Sequence, residues 1–126
     1  MSQSPAGKSV LVVDDDNVVR EITALLLQGQ GYAVACARNG REALGLLRAY
    51  PPPPDLIVLD LWMPGMNGWQ FREEQLRDRA LCDIPVVVMT ASTGFDASPL
   101  GSAEILKKPV GIEQILDAVE RNVRRT

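Results

Sequence analysis

Four short apolar runs in this chain end in residues able to handle charge or phosphorus. Val10 to Val13 runs into Asp14 and Asp15, Leu56 to Leu59 into Asp60, Val86 to Met89 into Thr90, and Ile105 and Leu106 into Lys107 and Lys108. If the three acids meet at one edge they repel: at roughly 6 Å and an effective dielectric of about 20, each ionised pair costs on the order of 3 kcal/mol. A cation has to offset that. Lys108 supplies one ammonium, and an all-oxygen donor set with open positions suits Mg²⁺, a hard ion that keeps waters and shares phosphate oxygens. An aspartate held beside such an ion and a lysine is a nucleophile toward phosphorus. The resulting acyl phosphate needs the metal, an ammonium and a hydroxyl donor around its oxygens, and Thr90 is placed to be that hydroxyl.

Other chemistries are excluded or disfavoured by composition. The chain has no histidine, so histidine triads, histidine metal sites and phosphohistidine formed on this chain do not arise. Cys36 and Cys82 stand far apart without metal-type spacing, and each is expected to fill the core as a small buried residue. A net charge of -3 and a pI near 4.9 argue against broad contact with nucleic acid or an anionic membrane. The late arginines, Arg121, Arg124 and Arg125, are expected to complement a helix C-terminus. Apolar runs reach only four or five residues, far short of a membrane span or a signal peptide, which places the chain in the cytoplasm.

The elements that must position these groups follow from periodicity. Continuous β-branched runs such as Val10 to Val13 mark strands buried on both faces, as in parallel sheets. Val18, Ile22, Leu25 and Leu26 repeat at helical spacing, with an aspartate or Asn17 as N-cap and Gly29 or Gly31 as the stop. Ala33 to Ala37 is a second strand. Glu42, Ala43, Leu44 and Leu47 mark a second helix ending before the prolines 51 to 54, which read as a rigid connector. Trp69, Phe71 and Leu76 mark a third helix whose apolar stripe is interrupted by Arg72 and Gln75. Residues 91 to 103 carry Pro99 and Gly101, which limit any fourth helix to one or two turns. Ile112, Ile115, Leu116, Val119 and Val123 define the last helix.

Strands alternating with helices imply right-handed crossovers and a doubly wound, five-stranded parallel sheet with helices on both faces. In such a sheet the functional crevice lies outside the carboxyl ends of the strands, where the strand order reverses. Asp14, Asp15, Asp60, Thr90 and Lys108 all fall at or just past those ends. The organisation expected is a loose tail over residues 1–8 and one domain over residues 9–126.

The set Leu11-Val12-Val13-Asp14-Asp15, Leu59-Asp60, Met63-Pro64-Gly65 with Asn67-Gly68, Met89-Thr90-Ala91 and Lys108-Pro109 closely resembles response-regulator receiver domains. The resemblance covers about residues 9 to 125. It implies a flavodoxin-like α/β fold of strand order 2-1-3-4-5. Asp60 is then the phosphoacceptor, Asp15 and Asp60 bind Mg²⁺ directly together with the Trp62 backbone carbonyl, and Asp14 does so through water. Thr90 and Lys108 hold the phosphoryl oxygens. The donor implied is a sensor histidine kinase or a histidine phosphotransfer protein, and the output goes to a downstream protein or a fused domain. Such a domain catalyses only its own phosphotransfer and dephosphorylation. The resemblance also implies a cis peptide at Lys108-Pro109, and Asp16 reads as a helix cap rather than a ligand.

The match departs in three places. Ile105 stands where the family usually carries a tyrosine or phenylalanine that turns inward as the threonine moves, and the segment 91 to 107 is shorter than typical. Trp62 is bulky for a position flanking the attacking water, with Ser92 as its small counterpart beyond Thr90. The expectation is a short or irregular fourth helix that phosphorylation orders, instead of a flipping ring. Met63, Met66 and Trp69 read as packing, the last anchoring its helix to the sheet. Two alternatives stand beside this reading. A phosphorylation-independent interaction module is favoured by Ile105 but opposed by retention of all five rim residues. A phosphatase with a nucleophilic aspartate would need an acid where Trp62 stands.

Overall fold

A computed structural model describes residues 7–124. The elements in order are β1 (Ser9–Val13), α1 (Asn17–Gly29), β2 (Ala33–Ala37), α2 (Gly40–Ala49), β3 (Leu56–Asp60), α3 (Gly68–Arg77), β4 (Val86–Thr90), a single 3-10 turn (Ser98–Leu100), β5 (Glu104–Lys107) and α4 (Ile112–Asn122). The five strands form one sheet of order β2-β1-β3-β4-β5, every neighbouring pair parallel. This is the flavodoxin-like arrangement expected. The fourth helix is reduced to the 3-10 turn, with Pro99 inside it and Gly101 closing it. Of the expected tail, residues 1–6 lie outside the described residues.

Successive side chains of a strand point to opposite faces, so each central strand feeds two cores. Leu11, Val13, Ile57, Leu59 and Val88 pack toward Ala43, Leu44, Leu47 and Phe71 of α2 and α3. Val10, Val12, Val58, Val87 and Met89 pack toward Leu27 of α1 and Ile115, Ala118 and Val119 of α4. Both faces of β1, β3 and β4 are therefore dry, which explains why their sequences show no alternation.

The helix starts follow side-chain capping of otherwise unpaired N–H groups. Asp16 Oδ1 accepts from the backbone of Val18 at 2.9 Å and of Val19 at 3.1 Å, which makes it the cap expected. Asn39 caps α2 through Glu42 N, and Asn67 with Gln70 forms a reciprocal capping box on α3. Past the end of α1, Gly31 takes a positive φ of 100° and turns the chain back into β2.

The structure fixes which faces of α1 and α3 are buried, corrects the reading of the cysteines and adds partners for the late arginines. On α1 the outward stripe is Val18, Ile22 and Leu25, 63%, 53% and 67% exposed, while Thr23, Ala24 and Leu27 face the sheet. Thr23 and Ala24 are small, so the helix can approach the strands closely. On α3 the polar residues Arg72 and Gln75 are buried and Leu76 is exposed. Arg72 Nε donates to Leu100 O and its Nη1 to Gln75 Oε1, while Gln75 Nε2 donates to the carbonyls of Leu81 and Ile84. These bonds satisfy the buried polar atoms and fasten two loops to the helix. Cys36 is not core filler: it lies exposed on the edge strand β2, and Cys82 is only half-buried. The late arginines do more than face a helix end. Arg121 pairs with Glu104 of β5, and Arg124 donates to the Pro54 carbonyl, while Arg125 lies outside the described residues.

Candidate functional site

Because all five strands run the same way, the residues that end or follow β1, β3, β4 and β5 share one rim. The strand order reverses between β1 and β3, since the chain runs outward from β1 to β2 and then back across to β3. Asp14 and Asp15 follow β1 and Asp60 ends β3. One carboxylate oxygen from each can be chosen so that all three lie within 4.8 Å of one another. Lys108 reaches Asp14 and Asp60, and Thr90 ends the neighbouring strand β4. Asp14, Asp60 and Thr90 are buried and Asp15 is exposed.

Asp14 is held from several sides. Its Oδ1 accepts from Asp16 N at 2.9 Å, its Oδ2 faces Lys108 Nζ at 3.2 Å, and its backbone carbonyl accepts from Arg20 Nη1 at 2.8 Å. Lys108 Nζ also lies 3.6 Å from Asp60 Oδ1. The lysine is positioned by its own backbone, whose N–H donates to Thr90 O at 2.8 Å, and the Lys108–Pro109 peptide is cis. Thr90 Oγ1 accepts from Ser92 N at 3.0 Å.

The electrostatics express crowding. Burial, then the Asp14 charge, push the Asp60 carboxyl from 3.8 up to about 6; Asp15 adds to the rise, and Lys108 opposes it without cancelling it. Burial alone would lower the Lys108 ammonium, but the Asp14 and Asp60 carboxylates outweigh it and raise its pKa. One ammonium is therefore too little positive charge for three carboxylates, and the donor set, all oxygen, is the type that hard divalent cations take.

The loop after Asp60 is fixed by close packing. A Cβ on Gly68 would stand 2.7 Å from Leu61 Cα and 2.8 Å from Asp60 O, so only glycine lets α3 start against the end of β3. Gly68 N donates to Leu61 O at 2.8 Å. Met63 is buried in the core, as its packing role requires. Trp62 is 57% exposed, and its indole N–H donates to Ser92 Oγ, joining the loops that follow β3 and β4. Trp69 packs partly on the core but also sits between Trp62 and Phe95. Reading the sequence missed Arg20, whose position three residues into α1 carries no sign of its contact with Asp14. It also missed the close approach at Gly68, for which Asn67-Gly68 was the available signal.

A doubly wound parallel sheet with an acidic crevice and an inward ammonium at its switch point defines a flavodoxin-like α/β protein suited to charged oxygen ligands. Comparison with known proteins narrows this. A profile of the response regulator receiver domain matches residues 10–120. Response regulator MprA of Mycolicibacterium vanbaalenii is 39% identical over 124 residues, spanning 93% of this chain and 51% of that protein. Phosphate regulon transcriptional regulatory protein PhoB of Pseudomonas aeruginosa is 31% identical over 124 residues, spanning 95% and 53%. The structure of chemotaxis protein CheY4 of Vibrio cholerae superimposes with a TM-score of 0.85 at 30% identity, over 94% of this chain and 100% of that one. The chain belongs to the response-regulator receiver domain family, the phosphoacceptor module of two-component signalling. It spans about half the length of the curated relatives it matches. Among the described residues no helix is long and apolar enough to cross a membrane.

Proposed function

We propose that Asp60 accepts a phosphoryl group and that Asp14, Asp15, Thr90 and Lys108 make the transfer possible. The observation that carries this is the convergence of three carboxylates within 4.8 Å on a single ammonium. An Asp60 oxygen attacks phosphorus and forms the new P–O bond, while the bond from phosphorus to the donor breaks and its electron pair leaves with the donor. With a pKa of about 6, Asp60 is mostly ionised at neutral pH and so is a competent nucleophile. Lys108, already within 3.6 Å of Asp60, neutralises the incoming phosphoryl oxygens, and the Thr90 hydroxyl donates to another.

Asp15 and Asp60, with the backbone carbonyl of Trp62, would hold Mg²⁺ directly, and Asp14 would do so through water. When bound, the ion neutralises charge on the carboxylates and on the phosphoryl oxygens. The domain acts on itself and on no other substrate: water later takes the phosphoryl group from Asp60.

Response regulators are served by a phosphohistidine on a sensor kinase or phosphotransfer protein, and because this chain has no histidine that group comes from outside it. That donor must bring its imidazole to Asp60, so its contact surface takes in the elements beside the rim. The outward stripe Val18, Ile22 and Leu25 starts three residues past Asp15 and is the apolar surface assigned to it. The output is a separate protein or a fused domain, and on this reading the module works in the cytoplasm. The test is incubation with Mg²⁺ and acetyl phosphate followed by intact-mass measurement. The parent gains one phosphoryl group and Asp60→Ala gains none. A parent that stays unmodified would overturn the proposal in favour of a phosphorylation-independent interaction module.

A further inference from the structure

A line of contacts leads from Thr90 to the surface without touching β5. Ser92 N–H donates to Thr90 Oγ1, and Ser92 Oγ accepts from the Trp62 indole N–H. The Trp62 ring meets Trp69 edge-on, with centroids 4.8 Å apart and planes at 72°, and Trp69 meets Phe95 in the same way at 5.6 Å and 79°. Phe95 lies in the irregular stretch between β4 and the 3-10 turn. One turn along α3 from Trp69, the buried Arg72 holds Leu100 O at 2.9 Å, so α3 grips the segment at two points.

We propose that Trp62, Trp69 and Phe95 form an aromatic relay that reports phosphorylation of Asp60 to residues 93–100. The proposal rests on the phosphoacceptor role given to Asp60 above. Two features make the relay a moving part. Trp62 is 57% exposed and held by one hydrogen bond and one edge contact, so a second ring position costs little burial. Thr90 and Ser92 share a hydrogen bond, so a threonine that turns toward a phosphoryl oxygen carries the Ser92 backbone with it. The Ser92 hydroxyl then shifts under the indole N–H, the Trp62 ring slides on Trp69, and the edge contact to Phe95 changes. Ile105, 38% exposed on β5, has no ring to turn and no place in this chain of contacts. Residues 93–100 are therefore coupled to the rim through α3, by a route that does not include Ile105.

The experiment compares the parent, Ser92→Ala and Phe95→Ala, each as the full chain with Mg²⁺ and acetyl phosphate. Phosphoryl content is read by intact mass, tryptophan emission by fluorescence, and residues 93–100 by amide exchange. In the phosphorylated parent the emission shifts and exchange in 93–100 changes by about three- to tenfold, the factor that one edge-to-face ring contact is worth. Ser92→Ala keeps its backbone N–H and acquires the phosphoryl group, but most of the exchange response is lost. Phe95→Ala keeps the emission shift, because Trp62 still moves, and loses the exchange response. A phosphorylated parent with unchanged exchange, or a Ser92→Ala response equal to the parent's, overturns the relay and leaves the phosphoacceptor reading intact. A parent that gains no phosphoryl mass overturns both.

Discussion

Asparagine at position 60 should make the metal-free protein more stable at neutral pH, although it removes a residue at the heart of the site. The Asp60 carboxyl has a pKa of about 6 in the fold against an ordinary 3.8. Each tenfold change in proton affinity is worth about 1.4 kcal/mol, so ionising this group inside the fold costs about 3 kcal/mol more than ionising it in the unfolded chain. Because the folded state binds the proton more tightly, its advantage is complete below pH 3.8 and is lost as the pH rises to about 6. Asparagine never ionises, so Asp60→Asn escapes that loss. Urea unfolding in the presence of a chelator should give a gain approaching 3 kcal/mol at pH 7, shrinking toward zero near pH 4. The attraction to Lys108 Nζ at 3.6 Å is already contained in the net shift, so its removal does not reverse the sign. Mg²⁺ should then stabilise the parent more than the variant, closing the gap, because an ion that binds only the fold adds stability by mass action. A variant no more stable than the parent at pH 7, or a gain that does not vary with pH, would refute the claim that crowded carboxylates strain this rim.

Trp62→Asn should shorten the lifetime of the phosphorylated form several-fold if the bulky indole two residues past Asp60 impedes entry of water; an unaltered decay, followed by intact mass after donor removal, would show that the ring does not guard the site. Ile22→Ser should slow phosphoryl transfer from a histidine donor while leaving the rate with acetyl phosphate unchanged, and equal slowing of both would remove α1 from the donor surface. Arg72→Met leaves the Leu100 carbonyl and Gln75 Oε1 without their donor in a buried setting, which should cost about 1–3 kcal/mol per unsatisfied group in urea unfolding. Leu76→Ser on the exposed side of the same helix should change stability by no more than about 0.5 kcal/mol, and a larger loss there than at Arg72 would reverse the assignment of inner and outer faces.

The parts legible in the sequence are those whose causes are local. A strand dry on both faces has to be a continuous apolar run, so β1, β3 and β4 could be read directly, and the polar residues ending them were fixed to one rim by the parallel topology alone. Asp16 could be read as a cap because a cap acts within three residues, whereas Asn67 reads only as part of a turn. What escaped depends on partners distant in sequence. The inner face of α1 is Thr23, Ala24 and Leu27 because small side chains let the helix sit close to the sheet, yet the more apolar stripe Val18, Ile22 and Leu25 has an equally good helical period. Periodicity measures the repeat and not the phase that packing selects.

The same argument explains α3, where Phe71 is buried as its stripe implied but Leu76 is exposed and Arg72 and Gln75 take the inner face. Arg72 and Gln75 break an apolar stripe, yet both are buried because carbonyls from Leu81, Ile84 and Leu100, six to 28 positions away in the chain, need donors there. A helix whose inner face is partly polar is tolerable only when those distant partners are in place, so α3 and the segment before β5 depend on each other. The mutual dependence links the two halves of the structure that the sequence left apart. Trp62, Trp69 and Phe95 belong to the β3–α3 loop, α3 and the irregular segment, and Arg72 holds Leu100 of that same segment against α3. The short segment between β4 and β5 is therefore held by specific contacts to α3, while Ser92 near its start bonds both Thr90 and Trp62.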